Sequence, residues 1–315
     1  MMSYIVRRLA AIVPLLLFVS MIIFAMTQLI PGDPARNILG TRATPQAVTI
    51  LRHRLGVDRS AVSQYFSWLG NALHGDLGKS WYHQTESVTD QIRVRLPITA
   101  NMAVGALVVT VLLGLPRGLI AGTRPQSHAD RAVTLGTSAA IAAPDFWLAM
   151  MLIVIFAVKL HLLPAISYVP FNQSPVEWFR HLLLVWIAVG IPGAASFARQ
   201  LRGSLIDALE QDYVRTARAK GLRGSVVVLK HALKNASLVP VTVLGLQFAY
   251  TLGGTVVLER IFSFNGMGAY FFGALDVKDV PIIQGVTLLV AVTFISVNLF
   301  VDVLYAYLNP KVRLG

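Results

Sequence analysis

The chain has 315 residues, of which 55% are apolar and only 13% are charged. Soluble domains carry roughly 25% charged residues, so this composition excludes an ordinary soluble enzyme and predicts a polytopic membrane protein. The net charge of +12 fits the Lys and Arg that membrane proteins keep in cytoplasmic loops and is not read as a nucleic-acid footprint; the lack of any Cys excludes thiol redox chemistry, disulfides and Cys-ligated metals.

The first apolar run, 9–30, follows Arg7 and Arg8. It is too long for a signal-peptide core and no A-x-A cleavage site follows it, so it reads as an uncleaved membrane helix. The segment 31–97 is amphipathic. Leu51, Leu55, Val57, Tyr65, Phe66, Trp68, Leu69, Leu73, Leu77, Trp81 and Tyr82 can build a small helical cap in the membrane interface, where Trp and Tyr are favoured. Its Gly78–Lys79–Ser80 hints at a P-loop, but Leu73 stands where that motif needs Gly.

Further runs of spanning length cover 98–121, 132–158, 182–197, 237–258 and 282–308. Pro144 interrupts the third span, and Gly190, Pro192 and Gly193 make the fourth read as short and broken. Such breaks survive in lipid only where protein or water satisfies the freed backbone, so these two helices are expected to face the centre of the assembly. Lys and Arg concentrate on one set of short loops, which places both termini in the cytoplasm and 31–97 outside.

The basic segment between the fourth and fifth spans is the strongest functional signal. Leu201, Leu205, Leu209, Tyr213 and Ala217 follow i, i+4 spacing and predict a helix continuing out of the membrane. Gly221 can end it in a left-handed conformation, and Ser225 can cap a second helix over 226–235. Arg215, Arg218, Lys220 and Arg223 would surround the bend, with Ala217 and Gly221 as small residues permitting close approach. A positive-inside loop without a partner would carry the same charge.

The string Tyr213, Val214, Arg215, Thr216, Ala217, Arg218, Ala219, Lys220, Gly221, followed by the 230–236 stretch and Pro240, resembles the cytoplasmic signature loop of ABC-importer permeases of the dipeptide/oligopeptide/nickel branch. Arg215 and Thr216 stand where the general E-A-A pattern has Glu and Ala. The Pro31–Gly32–Asp33–Pro34 and 75–80 motifs, the Asp130–Arg131 pair, Glu259 with Gly266–Met267–Gly268, and the tail from Asn309 extend the resemblance over nearly the whole chain.

The resemblance implies an all-α, six-helix type I ABC importer permease fold. It comprises a first helix over 1–30, an extracytoplasmic segment over 31–97, a core over 98–308 with the coupling loop 199–236, and a cytoplasmic tail over 309–315. It further implies a second homologous permease, two ATPase subunits or domains carrying ATP and Mg, an extracytoplasmic substrate-binding protein, surrounding membrane lipid and no nucleic acid. This chain itself would carry neither catalysis nor cofactor. Residues 213–221 would couple to the ATPase, and the cargo would be di- or oligopeptides, with nickel chelates, glutathione or another small solute as alternatives.

Other residues carry two readings each. Asp145 is a translocation-path residue or a local cap beside Pro144, since a carboxylate at membrane depth usually faces a cavity or partner. Gln247, Thr251, Gly253 and Gly254, with Gly245, line a path or pack helices. Glu259, Arg260, Asp276 and Asp279 fall on outer loops and contact the binding protein or are solvated. The seven His residues lack ligand spacing, so no metal site is expected. An ion-coupled secondary transporter is the alternative of another class; it would favour paired repeats and relay carboxylates, and no repeat is visible.

Overall fold

A computed structural model of the chain describes residues 2–308. In chain order the helices are α1 (Met2–Gln28), α2 (Pro34–Leu39), α3 (Pro45–Leu55), α4 (Ala61–Leu73), α5 (Val88–Thr123), α6 (His128–Ala142) and α7 (Asp145–Leu152), which runs on as the π-helix Ile153–Lys159. There follow α8 (Pro175–Leu209), α9 (Asp212–Ala219), α10 (Gly224–Val226) with the π-helix Val227–Ala232, α11 (Leu233–Ala236), α12 (Leu238–Gly254), α13 (Val256–Ile261), α14 (Met267–Val277) and α15 (Val280–Leu308). Among the described residues there is no strand, only an isolated bridge between Lys79 and Ser87. Helices satisfy their own backbone groups, which lipid cannot do.

α1, α5, α8 and α15 are each long and apolar enough to cross a membrane, and two bent helix pairs raise the number of spans to as many as six. One pair is α6 with 145–159, bent by 97°; the other is 224–236 with 238–253, bent by 56°. The first bend is sharper than an interrupted helix would suggest. Pro144 does not kink one helix but caps the next, and Ala143 before it is extended (φ −81°, ψ 122°), as steric clash with the proline ring demands.

The fourth span is also corrected: 182–197 is neither short nor broken but lies inside the continuous 35-residue α8, with Pro192 in its interior. Its glycines serve contact. A Cβ on Gly190 would press on Val109, and one on Gly193 would lie 2.6 Å from the Thr110 hydroxyl and 3.1 Å from the Gln247 amide. From α5, Gly105 meets the Trp186 indole, Gly114 meets Ala194 and Phe197, Gly118 meets Leu201 and Gly122 meets Leu205. The two helices thus approach along a stripe of small residues, the usual device where lipid removes the hydrophobic drive for helix association.

The chain folds as two compact units. The first is built on Ile98–Phe264. In it α8 carries two buried clusters, one around Leu182, Leu184, Val185 and Trp186 with Met102 and Phe262, the other around Phe197, Leu201 and Leu205 with Val214, Val227 and Ala236. The Trp186 indole N–H donates to the Asn101 carbonyl at 2.9 Å, and the Asn101 amide donates to the Tyr168 hydroxyl at 2.9 Å.

The second unit comprises Val6–Pro97 and Asn265–Ile295. Its core joins Val88 and Ile92 to Met267, Ala274, Ile282, Ile283 and Val286. Here the Pro31–Pro34 motif is a helix start: Gly32 takes φ +113°, Asp33 caps α2 by accepting the Ala35 N–H at 3.1 Å, and Pro34 opens the helix. Arg52 grips the same carboxylate from α3, Nη2 to Oδ2 at 2.7 Å. Burial pushes the Asp33 pKa up, but the Arg52 hydrogen bond, the Ala35 N–H and the neighbouring guanidinium charges together hold it below the usual carboxylate value.

Candidate functional site

The bend after α8 is assembled from short-range signals. α8 ends at Leu209 and α9 begins at Asp212, so the expected single helix through Leu201, Leu209 and Tyr213 is in fact two. α9 is amphipathic over eight residues: Val214 and Ala217 are buried against Val227, Ala232 and Ala236, while Tyr213, Arg215, Thr216, Arg218, Ala219 and Lys220 are exposed. Gly221 takes φ +75°, and its N–H donates to the Arg218 carbonyl at 2.9 Å, turning the chain back towards α10. The next helix starts at Gly224 with Arg223 at its cap, so Ser225 lies inside its first turn and does not cap it.

The role expected of Ala217 changes. At 6% exposure its small side chain lets α9 sit closely on this chain's own 227–236 segment, which leaves little of it for a partner to touch. The same holds for Val214, which is fully buried. Sequence reading overlooked Leu222, Val226 and Leu229, which stand exposed beside the cations. The available signal was a set of aliphatic residues in a loop otherwise rich in Lys and Arg. The outcome is a knob backed by the chain's own core, whose free face mixes guanidinium and ammonium groups with aliphatic side chains.

A second constellation ties α6 to α8 near this bend. Asp130, in the first turn of α6, receives the Arg202 Nε at 2.5 Å and Nη2 at 2.8 Å, one to each carboxylate oxygen, with the Gln126 N–H at 2.8 Å on Oδ2. The fork-to-fork geometry is specific to Arg. The Asp130 side chain is 5% exposed and that of Arg202 33%. Arg202→Ala is therefore expected to destabilise the folded chain by about 3 kcal/mol, the low end for leaving a buried charge unpaired, with Arg202→Lys recovering only part. Thermal unfolding in detergent checks this; an Ala variant with unchanged Tm would remove the pair from the structural account.

The remaining candidates are not brought into one site. Asp145 is the first residue of α7, after Pro144 at the cap position, and its carboxylate accepts the Phe146 N–H at 2.8 Å. Gln247 lies beside Gly193 and Thr110, and the Thr251 hydroxyl, fully buried, donates back to the Gln247 carbonyl at 2.8 Å. Gly245 packs against Val301, and Gly253 is exposed. The surroundings of Gly254 and the whole tail from Asn309 lie outside the described residues.

Of the four outer-loop candidates, Arg260 and Asp276 are exposed, but Glu259 and Asp279 are buried and are corrected accordingly. Glu259 accepts the Thr99 hydroxyl at 2.7 Å. Asp279 accepts the Ser80 hydroxyl at 2.5 Å and the Trp81 N–H at 3.2 Å, latching the loop before α5 to the start of α15. The Ser80 hydroxyl is thereby committed to a carboxylate.

Two family models cover the chain: the binding-protein-dependent transport system inner membrane component matches 114–314, and the N-terminal component of the same systems matches 1–103. The chain belongs to the binding-protein-dependent transport system inner membrane component family. Among its relatives, the glutathione transport system permease protein GsiC of Escherichia coli is 38% identical over 314 residues, 99% of both chains. Putative peptide transport system permease proteins of Brucella abortus and Brucella melitensis are 36% identical over 313 residues, again 99% of each chain. The chain is thus an ABC-importer permease subunit, a non-catalytic, membrane-spanning component of a transport system that works with a binding protein. The all-helical architecture and the apolar spans accord with that membership.

Proposed function

We propose that this permease subunit forms half of the path of an importer for di- or oligopeptides and takes its driving force from ATPase partners at the 213–221 bend. In this reading a second, homologous permease supplies the other half of the path. Two ATPase subunits or domains, holding ATP and Mg, sit on the cytoplasmic side where both termini also lie. A soluble receptor delivers cargo from outside. The observation that carries the reading is the build of α9: one face anchored by Val214 and Ala217 in the chain's own core, the other presenting Tyr213, Arg215, Arg218 and Lys220, with Gly221 closing the turn. A face held that firmly can transmit force, because load applied to the exposed side chains passes directly into α8 and the 227–236 segment.

Cargo class rests on resemblance to peptide and glutathione permeases alike. Glutathione is itself a tripeptide, so the two readings differ in whether the γ-glutamyl linkage and the thiol are required rather than in size. Uptake into proteoliposomes holding the complete transporter separates them. A peptide importer takes up labelled di- and tripeptides with ATP and the binding protein, is indifferent to proton uncouplers, and is competed by peptides of varied side chain. Competition by glutathione alone supports the narrower reading, and uptake by the lone chain on an ion gradient overturns both. In the same system, Arg218→Glu with Lys220→Glu is expected to weaken ATPase association about tenfold, or about 1.4 kcal/mol. Unchanged co-purification with the ATPase would count against docking at this bend.

A further inference from the structure

Helix α4 has three faces of different chemistry and no ionisable residue except Tyr65 among its thirteen. Tyr65 and Trp68 face α1, with ring centroids 5.5 Å and 6.2 Å from that of Phe24. The Tyr65 hydroxyl reaches the Ser20 hydroxyl at 2.9 Å. Gln64, Ser67 and Asn71, one helical ridge, line a cavity of about 940 Å³ whose wall also includes Asp33, Arg52 and Lys278. The third ridge is aliphatic and aromatic: Val62, Phe66 and Leu73 are 66%, 65% and 78% exposed.

The contacts to α1 fix the depth of α4. The apolar span of α1 is Ala10–Gln28. At 1.5 Å per residue, Phe24 stands about 6 Å and Ser20 about 12 Å inside its Gln28 end. The Tyr65 ring therefore dips below the level where the span ends, while the Gln28 amide, donating to the Gln64 side chain at 3.3 Å, holds the helix itself at that level. Helices that lie in a membrane interface bury their apolar face about 5–10 Å into the headgroup–acyl boundary. The remaining faces of α1 are equally apolar, with Phe18, Met21 and Met26 all exposed. In water, Val62, Phe66 and Leu73 would expose three large apolar side chains along one ridge, whereas acyl chains would complement them.

We propose that α4 is a lipid-embedded interfacial helix, its Val62–Phe66–Leu73 ridge in the acyl chains of the adjacent leaflet and its Gln64–Ser67–Asn71 ridge turned to the cavity. Tyr65 and Trp68 then act as the interfacial aromatic anchors of the first span. The inference needs only that α1 spans the bilayer and is independent of cargo and motor.

The chain contains no Cys, so single-cysteine variants can carry a nitroxide without background. Val62→Cys, Phe66→Cys and Leu73→Cys are compared with Ser67→Cys and Asn71→Cys in the complete transporter in phospholipid nanodiscs. Relaxation by oxygen, which partitions into acyl chains, is measured against relaxation by a water-soluble nickel chelate. The expected result is a several-fold higher oxygen-to-nickel ratio at 62, 66 and 73 than at 67 and 71. Equal nickel access on both ridges would overturn the proposal by placing α4 in water. Exclusion of both reagents at 62, 66 and 73 would overturn it by showing that another protein chain covers the ridge. Uptake by the same labelled transporters reports separately on the proposed function.

Discussion

Gly221→Val is expected to abolish ATP-dependent uptake while leaving membrane insertion and expression at wild-type levels. The residue takes φ +75°, and no atom stands within 4 Å of where its Cβ would be. Steric clash with neighbours is therefore absent, and the whole penalty lies in the backbone, about 1–2 kcal/mol for a left-handed L-residue and most severe for a β-branched one. The bend is exposed and locally closed by a single Gly221-to-Arg218 hydrogen bond, so the chain can relieve that strain by reshaping the turn without unfolding anything else. Reshaping moves Leu222 and Arg223 away from α9 and breaks up the docking face. Gly221→Asn should be much milder, because Asn tolerates the left-handed region. Uptake rates normalised to inserted protein would test the series, and a Val variant transporting at the wild-type rate would remove the turn from the coupling mechanism.

Gly105→Ala is expected to reduce the folded permease rather than its turnover. The added methyl would overlap the indole of Trp186. That ring cannot yield freely: it is 7% exposed, donates to the Asn101 carbonyl and stacks edge-on with Trp178 at 5.2 Å. Overpacking of this kind costs about 1–3 kcal/mol, and forfeiting the indole hydrogen bond adds about 1 kcal/mol. Lower Tm and a lower monodisperse yield in detergent are the readouts. Pairing the substitution with Trp186→Leu, which vacates the ring's space, should recover part of the loss. A Gly105→Ala protein of unchanged Tm would show that α5 and α8 are less closely packed than described.

Spans, helical class and the turn at Gly221 were legible because each is written locally, in hydropathy runs and in one glycine after an amphipathic segment. Gly190, Pro192 and Gly193 misled for a related reason. Local rules read them as breakers, but Gly190 and Gly193 exist to admit Val109 and Thr110 from another helix, a fact no window of sequence contains. Glu259 and Asp279 illustrate the same limit. Their carboxylates look solvated until Thr99 and Ser80, far away in the chain, are seen to hydrogen-bond them. Ala217 was recognised as a position where smallness matters, but its neighbour is this chain's own 227–236 segment. Spacing shows that something comes close; it does not show what.

Pro192 stands at the midpoint of α8, and the two buried clusters that α8 carries lie on opposite arms, Leu182–Val189 before it and Phe197–Ala208 after it. A proline contributes no backbone donor and its ring crowds the preceding turn, so a rod about 52 Å long gives up a helical hydrogen bond at its centre, where close contact of Gly190 with Val109 and of Gly193 with Thr110 holds it instead. Each arm is gripped by its own packing, and the glycines on either side of the proline add a third grip between them.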